Sequence, residues 1–227
     1  YDASDNETPM ELPIFNDNLK SSASWTEALA AEQKLWNQSA ASAEKARQHQ
    51  LEHLLRRAGD QLDQDRLLAA AEKLSGWAAE PEARFSKDRL LELHSILIGA
   101  DAQLRQTEPI PLNALHDPTP AILLPKMLDL AFDWFSTDSF AELHAVEQAA
   151  VVYLRLLDLH PFPTATEPTA MLAASFYTER AGFPSLVILS DDITQARFNQ
   201  ALEAAFRMLT QPLVELFAEM LRKAMER

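Results

Sequence analysis

The stretch Leu143-His144-Ala145-Val146-Glu147-Gln148-Ala149-Ala150-Val151-Val152-Tyr153-Leu154-Arg155-Leu156-Leu157-Asp158-Leu159, followed by His160-Pro161-Phe162-Pro163-Thr164-Ala165-Thr166-Glu167-Pro168, decides the fold. Leu143, Val146, Ala149, Ala150, Tyr153, Leu154 and Leu157 recur at three- and four-residue steps. That spacing predicts a helix with one wide apolar face. A loop rich in proline follows. Pro168 suits the first turn of a second helix, where its missing N–H costs nothing, and Gly182 ends that helix. Two helices joined by a short, stiff loop form the centre of the reading.

Helical patterns extend in both directions. From about Ser24 to Ala58, Trp25, Leu29, Leu35, Trp36, Ala40, Ala43, Leu51, Leu54 and Leu55 keep mostly helical spacing. A break at Gly59-Asp60 precedes a helix from about Asp63 to Ala79. Another opens near Ser86 and closes at Gly99, a suitable C-cap. The stretch 101–121 holds Pro109, Pro111, Pro118 and Pro120 and no helical stripe. Ile110–Leu112 and Ala121–Leu124 are expected to form a short hairpin or an extended flap. Pro125 starts a helix to about Phe135. Ser185–Leu189 reads as an extended apolar run. Two final helices are expected over Thr194–Thr210 and Pro212–Glu226. Residues 1–20, with Pro9 and Pro13, read as an extended arm packed through Leu12, Ile14 and Phe15.

Composition agrees with a mainly helical chain. Only four glycines occur in 227 residues, and tight turns and phosphate loops draw on glycine for positive φ. A Rossmann or P-loop site and a turn-rich β fold are therefore disfavoured. The net charge is −14. That charge repels nucleic acid and anionic membrane surfaces. With no cysteine, disulfides, thiolate zinc sites and cysteine nucleophiles are excluded. No run of about 18 apolar residues exists to span a bilayer. No basic-then-apolar leader is read at the start, so a cytoplasmic location is expected, and an opening at Tyr1 is compatible with a fragment.

The loop carries the functional signal. A helix start presents free N–H groups and suits an anion, and a histidine just before it could act as a general base. His160-Pro161-Phe162 resembles the opening of the Fic (Fido) motif, His-Pro-Phe-x-Asp/Glu-Gly-Asn-Gly-Arg-x-x-Arg. The flanks resemble that family too: the helix through Leu143–Leu159, Leu91-Glu92-Leu93-His94-Ser95-Ile96-Leu97 upstream, Leu104-Arg105-Gln106-Thr107, the flap Ile122-Leu123-Leu124, and Leu189-Ser190-Asp191-Asp192-Ile193 downstream. The resemblance implies an all-α, mainly helical fold: a Fic-like bundle with a short β-hairpin flap and an N-terminal helical extension. Residues 21–227 would form one domain, with helices over 21–85 and a Fic-like core over 86–220. The family transfers AMP or related phosphoryl-linked groups to protein hydroxyls, with the flap receiving the target chain.

The departures bear on activity. The family's metal-holding acid is Thr164, a poor ligand for a hard cation. Its two glycines are Ala165 and Glu167, so a positive-φ nest is penalised. Thr166 stands for the asparagine, Pro168 for the first arginine and Met171 for the last. Phosphoryl transfer depends on positioning and charge stabilisation, and a lone base supplies only about 10²–10⁴-fold. The family's self-restraining Ser/Thr-x-x-x-Glu-Gly/Asn helix is not found. Ser175-Phe176-Tyr177-Thr178-Glu179 has its first five positions, and Arg180 breaks the sixth.

The first expectation is thus a degenerate Fic-fold protein, bacterial-like, without AMP transfer, acting by binding an unidentified protein through Ile122, Leu123 and Leu124. No cofactor and no metal are expected. The alternative is a nucleotidyl or phosphoryl transferase with His160 as base and Thr164 and Thr166 replacing lost groups. ATP and Mg²⁺ enter only on that reading. The third is a purely structural helical domain. A homodimer is compatible with each. His160 also has a bland reading, a structural histidine bonded to nearby backbone. His49 and His53 sit four apart on a helix but lack the His-Glu-x-x-His pattern, so a solvated face is expected. Gly59–Asp65 lacks a calcium loop's spacing. His94, His116 and His144, and Trp25, Trp36, Trp77 and Trp134, are expected in packing or surface roles.

Overall fold

A computed structural model describes residues 16–36, 40–58 and 62–226 of the chain. Its helices are α1 (Asn16–Trp36), α2 (Ala40–Ala58), α3 (Gln64–Ala79), α4 (Lys87–Ile98), α5 (Leu124–Phe135), α6 (Asp138–Ala141), α7 (Ala145–Leu159), α8 (Thr166–Arg180), α9 (Asp192–Phe206) and α10 (Gln211–Met225). The fold class is all-α, as the sequence implies. Residues 16–20, expected in the arm, belong to α1. Leu12, Ile14 and Phe15 lie outside the described residues.

Helices α7 and α8 share the most extensive interface of the bundle. Residues 168–178 of α8 are buried on every side. A helix that is covered all round sits at the centre of a domain, and here α3, α4 and α7 surround it. The amphipathic α7 turns Val146, Ala149, Tyr153, Leu156 and Leu157 inward. Helix α1 packs on α10, tied by Arg222 to Glu32 at 2.9 Å. Helix α2 is fixed to the far side of α8, where Gln50 Nε2 donates to Ser175 Oγ at 2.8 Å and to the Leu186 carbonyl at 2.5 Å.

Local chemistry sets the helix ends. Ser86 Oγ accepts from the Arg89 N–H, and Asp63 and Asp191 carboxylates do the same for α3 and α9. These are side-chain N-caps that satisfy otherwise free donors. Gly99 closes α4 at φ 67°, the left-handed geometry that glycine adopts without penalty. Pro125 sits in the first turn of α5. At α7, His144 Nδ1 accepts from the Val146 N–H while Glu147 accepts from the His144 N–H.

The expected hairpin is not formed: among the described residues no strand occurs. The prolines at 109, 111, 118 and 120 remove ladder donors. Local bonds take the remaining groups instead. The Leu112 N–H donates to His116 Nδ1, the Ala121 N–H to Glu108, and the Leu123 N–H to the Pro120 carbonyl. Residues 185–189 form no helix and no strand. No helix among the described residues is long and apolar enough to cross a membrane.

Candidate active site

The loop between α7 and α8 makes its turn through two left-handed residues. His160 ends α7 at φ 44°, ψ 61°, with its N–H on the Leu156 carbonyl at 3.0 Å. Ala165 precedes α8 at φ 53°, ψ 24°. Alanine adopts this shape only at a cost, the penalty the sequence implies. The shape persists because its surroundings hold it. The Ala165 carbonyl accepts from the Thr169 hydroxyl at 2.6 Å and the Thr169 N–H at 3.1 Å. Phe162 beneath the loop is fully buried, and Thr166 Oγ1 donates to the Phe162 carbonyl at 3.1 Å.

Arg105 fastens the loop from outside. It is buried, and its Nε donates to the His160 carbonyl at 2.7 Å. Its terminal nitrogens donate to the carbonyls of Leu159, Thr107 and Thr119. The Arg105 N–H adds a bond to Pro161 O at 2.9 Å. One guanidinium therefore ends α7, with the sign its dipole favours, and ties the 107–119 segment to the site. His116 reinforces it: its Nδ1 accepts from Leu112, so Nε2 carries the proton and donates to the Asp158 carbonyl at 3.0 Å.

The His160 ring makes no such bonds. Its Nδ1 is buried without a hydrogen-bond partner. The bland reading of a ring bonded to backbone is therefore not met. Burial, and then the neighbouring Arg105 guanidinium, hold its pKa below the ordinary histidine value of 6.5. His160 is neutral at pH 7 and able to accept a proton.

His160, Arg57, Pro163, Thr164, Glu167 and Pro168 line a cleft of about 270 Å³. Thr164 is exposed there. Glu167 lies in the first turn of α8, and its Oε1 accepts from Arg57 Nη2 at 2.9 Å and from the Tyr153 hydroxyl at 3.2 Å. Arg57 also donates to Gln195 at 2.6 Å and lies over the Phe198 ring. Burial and the Glu167 charge raise the Tyr153 phenol well above its ordinary value, so it stays a donor. Met171 is fully buried in the core, away from the cleft. Sequence reading missed Arg57 and Tyr153, since nothing in their local pattern links them to residue 167.

The Mg²⁺ ion that the family motif implies finds no fitting donor set. Thr164 is neutral, Glu167 is committed to Arg57, and no group of three or more His, Cys, Asp or Glu able to hold a metal occurs among the described residues. His49 and His53 contact each other, and His53 Nδ1 lies 2.9 Å from Ser190 Oγ. They form no such group. At the flap, Ile122 and Leu123 are exposed, and Leu124 is buried at the start of α5.

A helical bundle with a His-Pro-Phe loop entering a buried central helix defines the class of protein. Residues 84–178 match the model of the Fic/DOC family. The chain is 25% identical over 138 residues to protein adenylyltransferase fic-1 of Caenorhabditis briggsae, covering 59% of this chain and 27% of that protein. It is 33% identical over 134 residues to uridine 5'-monophosphate transferase of Xanthomonas campestris pv. campestris, covering 51% and 24%. The chain thus spans about a quarter of the length of these curated relatives. Its fold is that of Fic-1 from C. elegans, with a TM-score of 0.77 at 19% identity over 92% of this chain and 72% of that one. Residues 84–178 belong to the Fic/DOC family.

Proposed function

We propose that this protein is a degenerate Fic-fold protein that does not transfer AMP and acts by holding an extended segment of a partner protein. One observation carries the reading: the Glu167 carboxylate, paired with Arg57 and Tyr153, sits in the first turn of α8, where the family motif would receive phosphate. A carboxylate there answers the helix dipole and repels an incoming anion. Thr164 offers no metal acid, and Pro168 and Met171 offer no cation. With the cleft's Arg57 already committed to Glu167, His160 lacks the charge stabilisation that phosphoryl transfer requires. The partner surface would be the flap, where exposed Ile122 and Leu123 lie near Ile110 and Leu112 in sequence and are likewise open to solvent. A Fic protein covalently tethered to Cdc42 has the same fold at a TM-score of 0.53, which supports a protein target for this architecture.

Calorimetric titration with ATP, with and without Mg²⁺, tests the first half. No heat is expected at millimolar nucleotide, and none with His160→Ala. Metal-dependent binding at micromolar strength would overturn it. A panel of extended apolar peptides tests the second half, with Leu123→Asp expected to abolish capture.

The alternative is a nucleotidyl transferase with His160 as base. It is favoured by the neutral, partner-free imidazole and by the retained left-handed turn at Ala165. Labelled-nucleotide transfer to protein, lost in His160→Ala, would establish it.

A further inference from the structure

The two ring nitrogens of His160 face different surroundings. Nδ1 is buried with no hydrogen-bond partner. A proton there would be an orphaned donor, and buried donors are rarely left so. The carbonyl or carboxylate that fixes a proton on Nδ1 in a working base is absent among the described residues. Nε2 is not among the buried unpartnered atoms and makes no hydrogen bond to the described residues. The ring is neutral, so its one proton sits on Nε2, where a ligand can accept it. The cleft therefore meets an N–H at His160, and the lone pair points into the protein.

Glu167 supplies the opposite group. Its Oε1 is spent on Arg57 Nη2 and the Tyr153 hydroxyl. Its Oε2 takes no such bond and is not among the buried atoms, on a side chain that is 30% exposed. Arg57, 12% exposed, cancels the charge of the carboxylate. His160, Arg57 and Glu167 line one cleft of about 270 Å³. That cleft offers one donor and one acceptor beside a pair of charges that sum to zero.

The set discriminates among ligands. An anion meets the Glu167 carboxylate, and an ammonium meets Arg57 and the imidazole N–H. An apolar group strands both open atoms. A hydroxyl has a single oxygen to answer groups carried on two helices, the end of α7 and the first turn of α8. An amide is neutral and carries its acceptor and its donor on separate atoms. The flap begins close by, since Arg105 donates to the carbonyls of both His160 and Thr119. We infer that the motif cleft reads a carboxamide, His160 Nε2–H donating to its oxygen and Glu167 Oε2 accepting from its nitrogen, presented as an asparagine or glutamine side chain by the segment held at the flap. The source of the amide rests on the flap reading above, and the amide site itself does not.

Two-bond proton–nitrogen NMR of the full chain, with His160→Ala to assign the ring, reads the tautomer without a ligand. A proton on Nε2 is expected, and a proton on Nδ1 overturns the inference. Titration with propionamide should move the His160 ring signals to saturation, with propionate, 1-propanol and propylammonium about tenfold weaker. No response to propionamide, or equal binding by any of the other three, overturns it. An apolar pentapeptide with a central glutamine should bind about tenfold more tightly than the same peptide with methionine or glutamate there. Leu123→Asp should abolish peptide capture and leave propionamide unchanged. Peptides that bind equally whatever their central residue overturn the inference while the flap reading stands. Propionamide binding with no peptide capture overturns the flap reading and supports the amide site.

Discussion

His94 lies flat on Phe162, with ring centres 3.6 Å apart and planes within 5°. Its Nδ1 is 3.1 Å from Thr169 Oγ1, whose hydroxyl already donates to the Ala165 carbonyl. Nδ1 is therefore the donor, and His94 is neutral. The stack and the relay connect α4 to the turn that opens α8, so a histidine outside the motif holds the motif loop in place.

Burial lowers the His94 pKa from 6.5 to about 4. A histidine with a depressed folded pKa leaves the unfolded chain binding the proton first as pH falls. Its contribution is full above pH 6.5 and is lost progressively down to about pH 4. Between pH 7 and 5 the loss is about 2 kcal/mol. His94→Phe keeps the ring on Phe162 and should remove that part of the pH dependence. Urea unfolding of both proteins at the two pH values checks it. Equal slopes for the two would show that His94 does not titrate differently on folding.

Arg105 supports both the α7 end and the 107–119 segment through backbone carbonyls. Arg105→Leu strands several buried acceptors and should cost on the order of 3 kcal/mol. Arg105→Lys cannot reproduce the fork and should recover less than half. Denaturant midpoints with an unchanged m-value would report this. A cost within experimental error would mean that water replaces the guanidinium.

The last arginine of the family motif cannot simply be restored. Met171 is 0% exposed. Met171→Arg would bury an unpaired charge and should destabilise by more than about 3 kcal/mol. Thr164→Glu, at an exposed position, should stay within about 0.5 kcal/mol. Thermal unfolding of the pair separates them, and a stable Met171→Arg would place residue 171 at the cleft after all.

Gly99 closes α4 at φ 67° with the Arg66 guanidinium lying where a Cβ would stand. Arg66 Nη1 donates to the neighbouring Ile98 carbonyl at 2.8 Å. Gly99→Ala should cost about 1 kcal/mol or more. Adding Arg66→Ala should return part of it, because the clash goes and the backbone strain remains. A full return in the double variant would mean that φ is not the source.

Much of the fold is legible in the chain. Helix periodicity, Ser86 and Asp63 as caps, Gly99 as a stop and Pro125 as a start are local features, encoded within a turn or two of each residue. His160-Pro161-Phe162 and its flanking helices were enough to expect the Fic fold. Strand pairing at the flap is not legible in the chain, because it depends on what a segment meets across space. Here its prolines and Arg105 met its hydrogen-bonding needs another way.

The sequence by itself determined the helical class, the position of the motif loop and the uncharged side chains at 164, 168 and 171. These follow from residue type and spacing. Only the tertiary structure decided that Arg57 reaches Glu167 across 110 positions of chain and that Met171 faces the core. Contacts between distant segments depend on how helices pack, and packing distributes its information over the whole chain rather than any short stretch of it.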